Sequence, residues 1–336
     1  MALLRNMRRR LTANAVYGAC RLAPATPAFA IDVTESVLAR LGPFTPVLGR
    51  LVTDNMKAAG VYDGDVARRY FENVARHLAN GLRIFRGRPR VDAVRRIAAR
   101  ETLLDNSVDL AREIVRGGGG AILAPPHCCN YLISLARLRE ELPIAIYLRW
   151  SGDRRRIEMK RAWCRAAGLE VIIEPPNAAN PTARAALCVD ALREGRILAV
   201  TPDIAQRNTD GTPVRWLDRD VFLPAGPAAL AMLAEVPLIP MFARYLGRRQ
   251  TVYCEPPITV PPLSRDEGGR QEAVRRAMQS WADGFSRFIR HSPEGWFLWG
   301  DNRWTRVLRA DPKYAGPRRA SQPPADNAPA ISLESP

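Results

Sequence analysis

The chain has 336 residues, and 50 Lys and Arg against 34 Asp and Glu give a formal net charge of +16. This length fits one large domain or two small ones, and a hydrophobic share of 47% is enough for a sizeable core. No stretch reaches the roughly 20 apolar residues that a membrane-spanning helix needs.

The positive charge comes almost entirely from arginine, whose planar guanidinium binds phosphate and carboxylate with paired donors. We therefore expect an anionic partner, and charge alone is compatible with nucleic acid, an anionic membrane surface or an acidic small substrate. The six cysteines are scattered, so that no disulfide framework or zinc site is predicted. This cysteine usage favours a reducing compartment.

Residues 1–62 are predicted to form short helices broken by proline. Three arginines at 8–10, an apolar run and the sequence Ala28-Phe29-Ala30 imitate a secretory signal peptide, but polar residues interrupt the apolar run. We instead expect a basic, partly apolar segment that lies on an anionic membrane surface. An ordinary surface helix with a solvated run of charge is the alternative.

Residues 63–310 are predicted to form the main domain, which begins with two helices. Apolar positions recur at helical spacing from Asp63 to Phe85 and again from Val91 to Arg116. From residue 121 onward, short apolar runs alternate with helical stretches, which predicts β-α-β units. The expected fold class is therefore α/β, with a mostly parallel central sheet flanked by helices and a helical, membrane-associating N-terminal part. Residues 311–336 have the composition of a disordered tail.

The predicted strands and helices of this alternating part can be given as ranges. The strands are expected at 121–124, 144–148, 171–173, 197–200, 236–245 and 251–254. The helices are expected near 131–141, 154–167, 181–194, 225–234 and 272–289.

The turn after the first of these strands carries the main catalytic candidate. A glycine run at 117–120 leads into an apolar strand, two prolines end that strand, and His127 follows at once. Open α/β sheets bind ligands beyond the carboxyl ends of their strands, and a neutral imidazole can accept a proton from a hydroxyl. His127 is therefore the candidate general base, and a histidine that caps local backbone is the alternative. His77 and His291 lie in helices and are expected to be structural.

Asp203 is the second candidate, because it follows the strand at 197–200 at the same predicted edge of the sheet. It can face the crevice of His127, or it can be a loop residue that caps a turn. Cys128 and Cys129 suggest a thiol nucleophile or a metal ligand, but adjacent residues rarely point both sulfurs at one metal and no second ligand cluster accompanies them. We favour small buried cysteines at the start of a helix.

From about residue 64 to about residue 306, these segments together resemble the bacterial lipid A biosynthesis acyltransferase family, of the lysophospholipid acyltransferase superfamily. The family's first motif, which is His, any residue, Gly, Asn, Trp and an acid, corresponds to residues 127–132, with His127 and Asn130 matching. Its Pro-Asp motif matches residues 202–203. The matches in its two later motifs are Gly226, Leu230 and Ala231, and then Pro293, Glu294, Trp296, Trp299, Arg303 and Trp304.

The resemblance implies an acyltransferase that uses an acyl thioester, on acyl carrier protein or coenzyme A, and a lipid or glycolipid acceptor. It also implies a peripheral or monotopic location on the cytoplasmic face of the cell inner membrane, and it implies no metal or other cofactor. His127 would be the general base, and Asn130, Arg149, Gly226 and Arg303 would bind substrate. Nucleic acid is not an expected partner, because no motif of interleaved aromatic and basic residues is present.

The most serious departure from the family pattern is Leu132, which stands where the family has its acid. Asp203 or Glu158 can supply the missing carboxylate. Alternatively, the acceptor is easier to activate than a sugar hydroxyl, such as an amine or a phenol, or the chain binds lipid without turnover. We favour an active transferase with altered chemistry.

Overall fold

A computed structural model of the protein describes residue 14 and residues 17–148, 154–173, 181–262 and 266–315. The strands in these parts are β1 (Thr102–Leu104), β2 (Ala121–Ala124), β3 (Ile144–Leu148), β4 (Glu170–Ile173), β5 (Ile197–Ala199), β6 (Thr212–Trp216), β7 (Arg219–Leu223), β8 (Leu238–Leu246) and β9 (Arg249–Cys254). The labelled helices are α1 (Ala28–Leu41), α2 (Leu48–Ala59), α3 (Gly64–Arg86), α4 (Arg90–Glu101), α5 (Asp109–Arg116), α6 (Tyr131–Leu138), α7 (Arg154–Ala166), α8 (Pro181–Arg193), α9 (Gly226–Ala234), α10 (Glu267–His291) and α11 (Asn302–Leu308).

Seven strands form one sheet in the order β1-β9-β8-β2-β5-β3-β4, and β6 pairs with β7 in a separate hairpin. Neighbouring strands of the large sheet are parallel except for the antiparallel pair β8–β9. The α/β class and the mostly parallel sheet are therefore confirmed. In the described part of the chain, no helix has both the length and the hydrophobicity that crossing a bilayer would require.

The single helix predicted from Val91 to Arg116 is wrong, because two helices with a strand between them occupy this range. α4 ends at Glu101, and β1 then pairs with β9 at the edge of the sheet. The next residue continues the pairing, since Asp105 N–H donates to the carbonyl of Val252 at 2.9 Å. Its carboxylate accepts from Ser107 N–H at 2.8 Å and so caps the short helix that leads into α5.

β2 lies in the middle of the sheet between β5 and β8, and its four residues are buried. Its register aligns Leu123 with Ala199, so β2 and β5 end side by side. The segments that follow these two strands therefore begin at neighbouring points. The glycine before β2 is required for packing, because a Cβ on Gly120 would lie 2.1 Å from the carbonyl oxygen of Leu192.

Two N-terminal helices pack on the main domain. α1 lies on α3, where Arg83 donates to Asp32 and Glu35 at 2.6 Å each. α2 contacts the C-terminal region through the buried Asn55, whose amide donates to the Trp299 carbonyl at 2.6 Å. The predicted division at residue 62 remains a prediction.

The chain stays packed to the end of the described residues, since Ala315 is buried and pairs with Val221 of β7. This is five residues beyond position 310, where the main domain was predicted to end. The remainder of the predicted tail, residues 316–336, lies outside the described residues.

Candidate active site

His127 and Asp203 are in direct contact at the carboxyl ends of β2 and β5. His127 Nδ1 lies 2.7 Å from Asp203 Oδ1, and the backbone N–H of His127 donates to Asp203 Oδ2 at 2.7 Å. The backbone and the ring of one residue thus hold both carboxylate oxygens of the other. Because Nδ1 faces the carboxylate, Nε2 is the ring nitrogen left to meet a substrate.

Asp203 is fully buried, and the C-terminal segment supplies it with further donors. Trp296 Nε1–H donates to Asp203 Oδ2 at 2.9 Å, and Trp304 Nε1–H donates to the Asp203 backbone carbonyl at 2.8 Å. A buried carboxylate is costly unless hydrogen bonds and opposite charge compensate it. These indoles and His127 together provide that compensation.

The surroundings of His127 act on its pKa in opposite directions. Burial lowers the pKa, while the negative charge of Asp203 and its hydrogen bond to the ring raise it, and the net direction is upward from 6.5. The charge of Arg303 lowers the pKa and that of Asp301 raises it, by smaller amounts. The His127 side chain is 22% exposed, so the ring has access to solvent despite its buried partner.

The turn that carries His127 is held against the C-terminal segment by backbone hydrogen bonds. Phe297 N–H donates to the His127 carbonyl at 2.9 Å, and Cys129 N–H donates to the Gly295 carbonyl at 2.6 Å. Cys129 has a φ of 46°, a left-handed conformation that non-glycine residues seldom adopt. The turn is therefore fixed by contacts to a distant part of the chain.

The two cysteines of this turn are fully buried. Burial raises the pKa of Cys128 to about 12 and raises that of Cys129 well above its ordinary value. Cys129 Sγ–H donates to the Ala243 carbonyl at 3.0 Å. Both groups are thus protonated thiols at neutral pH, which is the opposite of what a nucleophile or a metal ligand requires.

Asn130 lies behind the turn, and its contacts are with protein groups. Its backbone N–H donates to Gln250 Oε1 at 2.8 Å, and its side chain lies close enough to His77 to raise the pKa of that imidazole. Burial lowers the pKa of His77 to about 4, with an opposing effect from Asn130, so this imidazole is neutral. These contacts connect the turn to β9 and α3, and the predicted role of Asn130 in binding substrate stays a prediction.

The other predicted residues differ in their relation to His127. Arg303 pairs with Asp301 through two guanidinium contacts of 3.1 and 3.0 Å, and its charge is close enough to act on the pKa of His127. Gly226 is exposed at the first position of α9. Arg149 lies outside the described residues. Their roles in binding substrate also stay predictions.

Of the two carboxylates considered as replacements for the missing acid, Asp203 is the one in contact with His127. Glu158 is 49% exposed and pairs with Arg154 at 2.9 Å. Leu132, at the family's acid position, packs against the hydrophobic core. The contact with His127 therefore favours Asp203 over Glu158.

The donors Trp296 and Trp304 were not among the predicted site residues, although both match the last motif of the family resemblance. Both are fully buried, so each indole N–H needs an internal acceptor. This need was the available signal, although the sequence does not identify the acceptor as Asp203. Tyr131 completes the surroundings with an edge-to-face contact, its ring centroid 5.2 Å from that of His127.

Comparison with known proteins adds one finding. The sequence model of a family described as bacterial lipid A biosynthesis acyltransferase matches residues 66–306. The matched range covers most of the chain and contains His127, Asp203 and both indole donors. No curated protein sequence matches the chain.

Proposed function

Because the chain belongs to the bacterial lipid A biosynthesis acyltransferase family, we propose that it moves a fatty acyl group from an acyl thioester to a lipid or glycolipid acceptor. The family assignment supports acyl transfer in general. The observation that carries the proposal for this chain is the 2.7 Å contact between His127 and Asp203. It supports an active enzyme although Leu132 occupies the usual position of the acid.

In the proposed reaction, His127 Nε2 accepts the proton of the acceptor hydroxyl while its oxygen attacks the thioester carbonyl carbon. The buried Asp203 carboxylate stabilises the imidazolium that forms. When the tetrahedral intermediate collapses, the carbon–sulfur bond breaks and the imidazolium returns the proton to the leaving thiolate. The products are an acyl ester and a free thiol, and His127 is again neutral.

We propose that Arg303 binds an anionic group of the substrates or of the reaction intermediate. Its charge acts on His127, and its side chain is 43% exposed. A guanidinium in this position can bind a phosphate of the donor or the acceptor, or stabilise the developing oxyanion. Asn130, Arg149 and Gly226 are proposed to line the substrate site on the family resemblance alone.

The donor is proposed to be acyl carrier protein or acyl coenzyme A. Both are anionic and would be attracted by a chain of net charge +16. The acceptor resides in a membrane, so we propose a peripheral or monotopic location on the cytoplasmic face of the inner membrane.

The test is transfer of a labelled acyl group from acyl carrier protein or coenzyme A to a bacterial lipid extract by the purified protein. His127→Ala should abolish transfer, whereas His291→Ala, at the exposed end of α10, should retain it. Transfer by His127→Ala at the wild-type rate would refute the assigned base. Lipid binding by the wild-type protein without transfer to any extract would favour the alternative of a family member that has lost turnover.

If label appears only on an amine or a phenol in the extract, the acceptor proposal changes and the role of His127 does not. Mass spectrometry of the labelled product distinguishes an amide or aryl ester from a sugar ester.

A further inference from the structure

Large apolar side chains are exposed in a cluster on the N-terminal helices. Phe29, Val33, Val37 and Leu41 follow one another at intervals of four residues along α1, and Phe44 and Val47 continue the cluster. These six residues, which we call the outer face, are between 46% and 81% exposed. Side chains four apart share one side of a helix, so the four residues on α1 form a continuous stripe, and Phe44 and Val47 follow it along the chain.

The opposite side of α1 is already occupied. Ile31 is 1% exposed, and Glu35, whose side chain is 12% exposed, accepts from Arg83 of α3 at 2.6 Å. Arg248 also pairs with Glu35, at 3.2 Å. The helix therefore sits on the protein through Ile31 and Glu35 and turns a row of large apolar side chains outward.

Charge indicates what covers the outer face. Arg21, Arg40 and Arg50 are exposed and lie close to it along the chain, and both acids of α1 pair with Arg83. A stripe of apolar residues with basic neighbours suits a lipid bilayer that carries anionic headgroups. A second copy of this chain would bring its own net charge of +16 to the same place.

α3 connects the outer face to the candidate active site. On one side it contacts the α1 region through Phe71, beside Gly42, and through Arg83. On another side Tyr70 O–H donates to the Phe297 carbonyl at 3.2 Å, and the amide of Asn73 donates to the Glu294 carbonyl at 3.2 Å. The segment reached in this way is the one that holds His127.

We infer that the outer face of α1 and the following turn is the surface that docks the protein on an anionic bilayer, with α1 in the plane of the membrane. Phe29 and Phe44 enter the acyl region, and the arginines contact phosphate headgroups. This inference rests on the proposed function and deepens it. It assigns the surface through which the protein reaches an acceptor that resides in the membrane.

Vesicle sedimentation of the full chain tests the inference, using phosphatidylcholine vesicles with and without phosphatidylglycerol. The triple variant Phe29→Ser, Val33→Ser, Phe44→Ser should lower the vesicle-bound fraction by about tenfold or more, because three apolar side chains that would enter the bilayer are lost. The matched control Leu187→Ser, Leu246→Ser removes exposed apolar residues elsewhere and should bind as wild type does. Wild-type binding should be stronger with phosphatidylglycerol.

Wild-type sedimentation by the triple variant would overturn the inference. So would the loss of an oligomer in that variant with vesicle binding unchanged, because a second copy of the chain would then cover the face. In detergent with dispersed acceptor, the triple variant should transfer acyl groups as wild type does. If no variant transfers under any condition, the proposed function fails while the vesicle result stands.

Discussion

A hydrogen bond between His127 Nδ1 and Asp203 decides which ring nitrogen can work as a base. The carboxylate stabilises Nδ1 as the protonated nitrogen, so the lone pair is on Nε2. The same carboxylate raises the pKa of His127 against the effect of burial. A base of raised pKa accepts a proton more readily but is free only at higher pH.

The pH dependence of transfer follows from this balance. In the wild type, kcat/KM should rise with pH through an apparent pKa above 6.5, because His127 must lose its proton to act. In Asp203→Asn the negative charge is gone and burial remains, so this limb should move to lower pH. The rate on the plateau should fall by roughly 10²–10⁴. A pH profile of kcat/KM for both proteins measures the two effects.

An unchanged acid limb in Asp203→Asn would contradict the assignment of Asp203 as the group that raises the pKa of His127.

The His127–Asp203 pair also makes the free energy of unfolding depend on pH. Because the pKa of His127 is higher in the folded state, the pair stabilises the fold most below pH 6.5. This stabilisation is lost as the pH rises through the folded-state pKa.

Trp296 offers a direct test of how Asp203 is held. Trp296→Phe keeps an aromatic ring but removes the N–H that donates to Asp203 Oδ2, so kcat should fall by about tenfold. Trp299→Phe is the matched control, because that indole is equally buried and donates to the Pro293 carbonyl instead. Steady-state kinetics with thermal unfolding of both variants separates the two roles. Equal losses of kcat at equal stability would remove Trp296 from the site.

At the residue scale, the sequence allowed the pairing of His127 with Asp203 to be expected but not the donors around it. Two parallel strands that each end in a turn place the residues after them at the same edge of a sheet. Each strand end can be recognised from a short stretch of sequence, so this placement is predictable. Which group accepts the hydrogen bond from an indole N–H depends on how the segment that carries Trp296 and Trp304 packs on the sheet. The residues next to Trp296 in the sequence do not contain that information. For the same reason, the sequence does not distinguish Asp203 from Glu158 as the partner of His127.

At the scale of elements, the strands at the centre of the sheet are the parts best predicted. β2, β3 and β5 are short apolar runs buried by the helices around them, and their predicted and observed limits agree within one residue. β1 was predicted as helix, because residues 102–104 continue an apolar pattern of helical spacing. Its strand conformation comes from pairing with β9, nearly 150 positions away, as the register of Thr102 with Gln250 records.

The glycine before β2 provides a prediction for the packing of the sheet against α8. Gly120→Ala puts a methyl group 2.1 Å from the backbone oxygen of Leu192, which has little room to move, and should lower the free energy of unfolding by about 3 kcal/mol or more. Gly81→Ala in the middle of α3 meets no atom within 4 Å and should raise it by about 0.5–1 kcal/mol. Denaturant unfolding of both variants measures these changes, and we expect the free energy of unfolding to change in opposite directions. A stable Gly120→Ala protein would mean that β2 and α8 are farther apart.

For the whole molecule, the excess of arginine predicts how donor binding responds to salt. If the donor is acyl carrier protein, its KM should rise several-fold between about 0.05 and 0.3 M salt, since long-range attraction is screened over about 10 Å at 0.1 M. The same series with a short, uncharged thioester should show little change in KM. Initial rates over the salt series measure both, and equal responses would show that protein charge does not guide the donor.

His127 and Asp203 are widely separated along the chain from the groups that hold them. His127 and Asp203 are synthesised well before Trp296 and Trp304, whose indole donors complete the surroundings of the carboxylate. While the ribosome still encloses residues 296–304, the nascent polypeptide contains His127 and Asp203, but the indole donors cannot yet reach the carboxylate. The buried carboxylate therefore acquires its full set of hydrogen bonds only after this late segment has emerged.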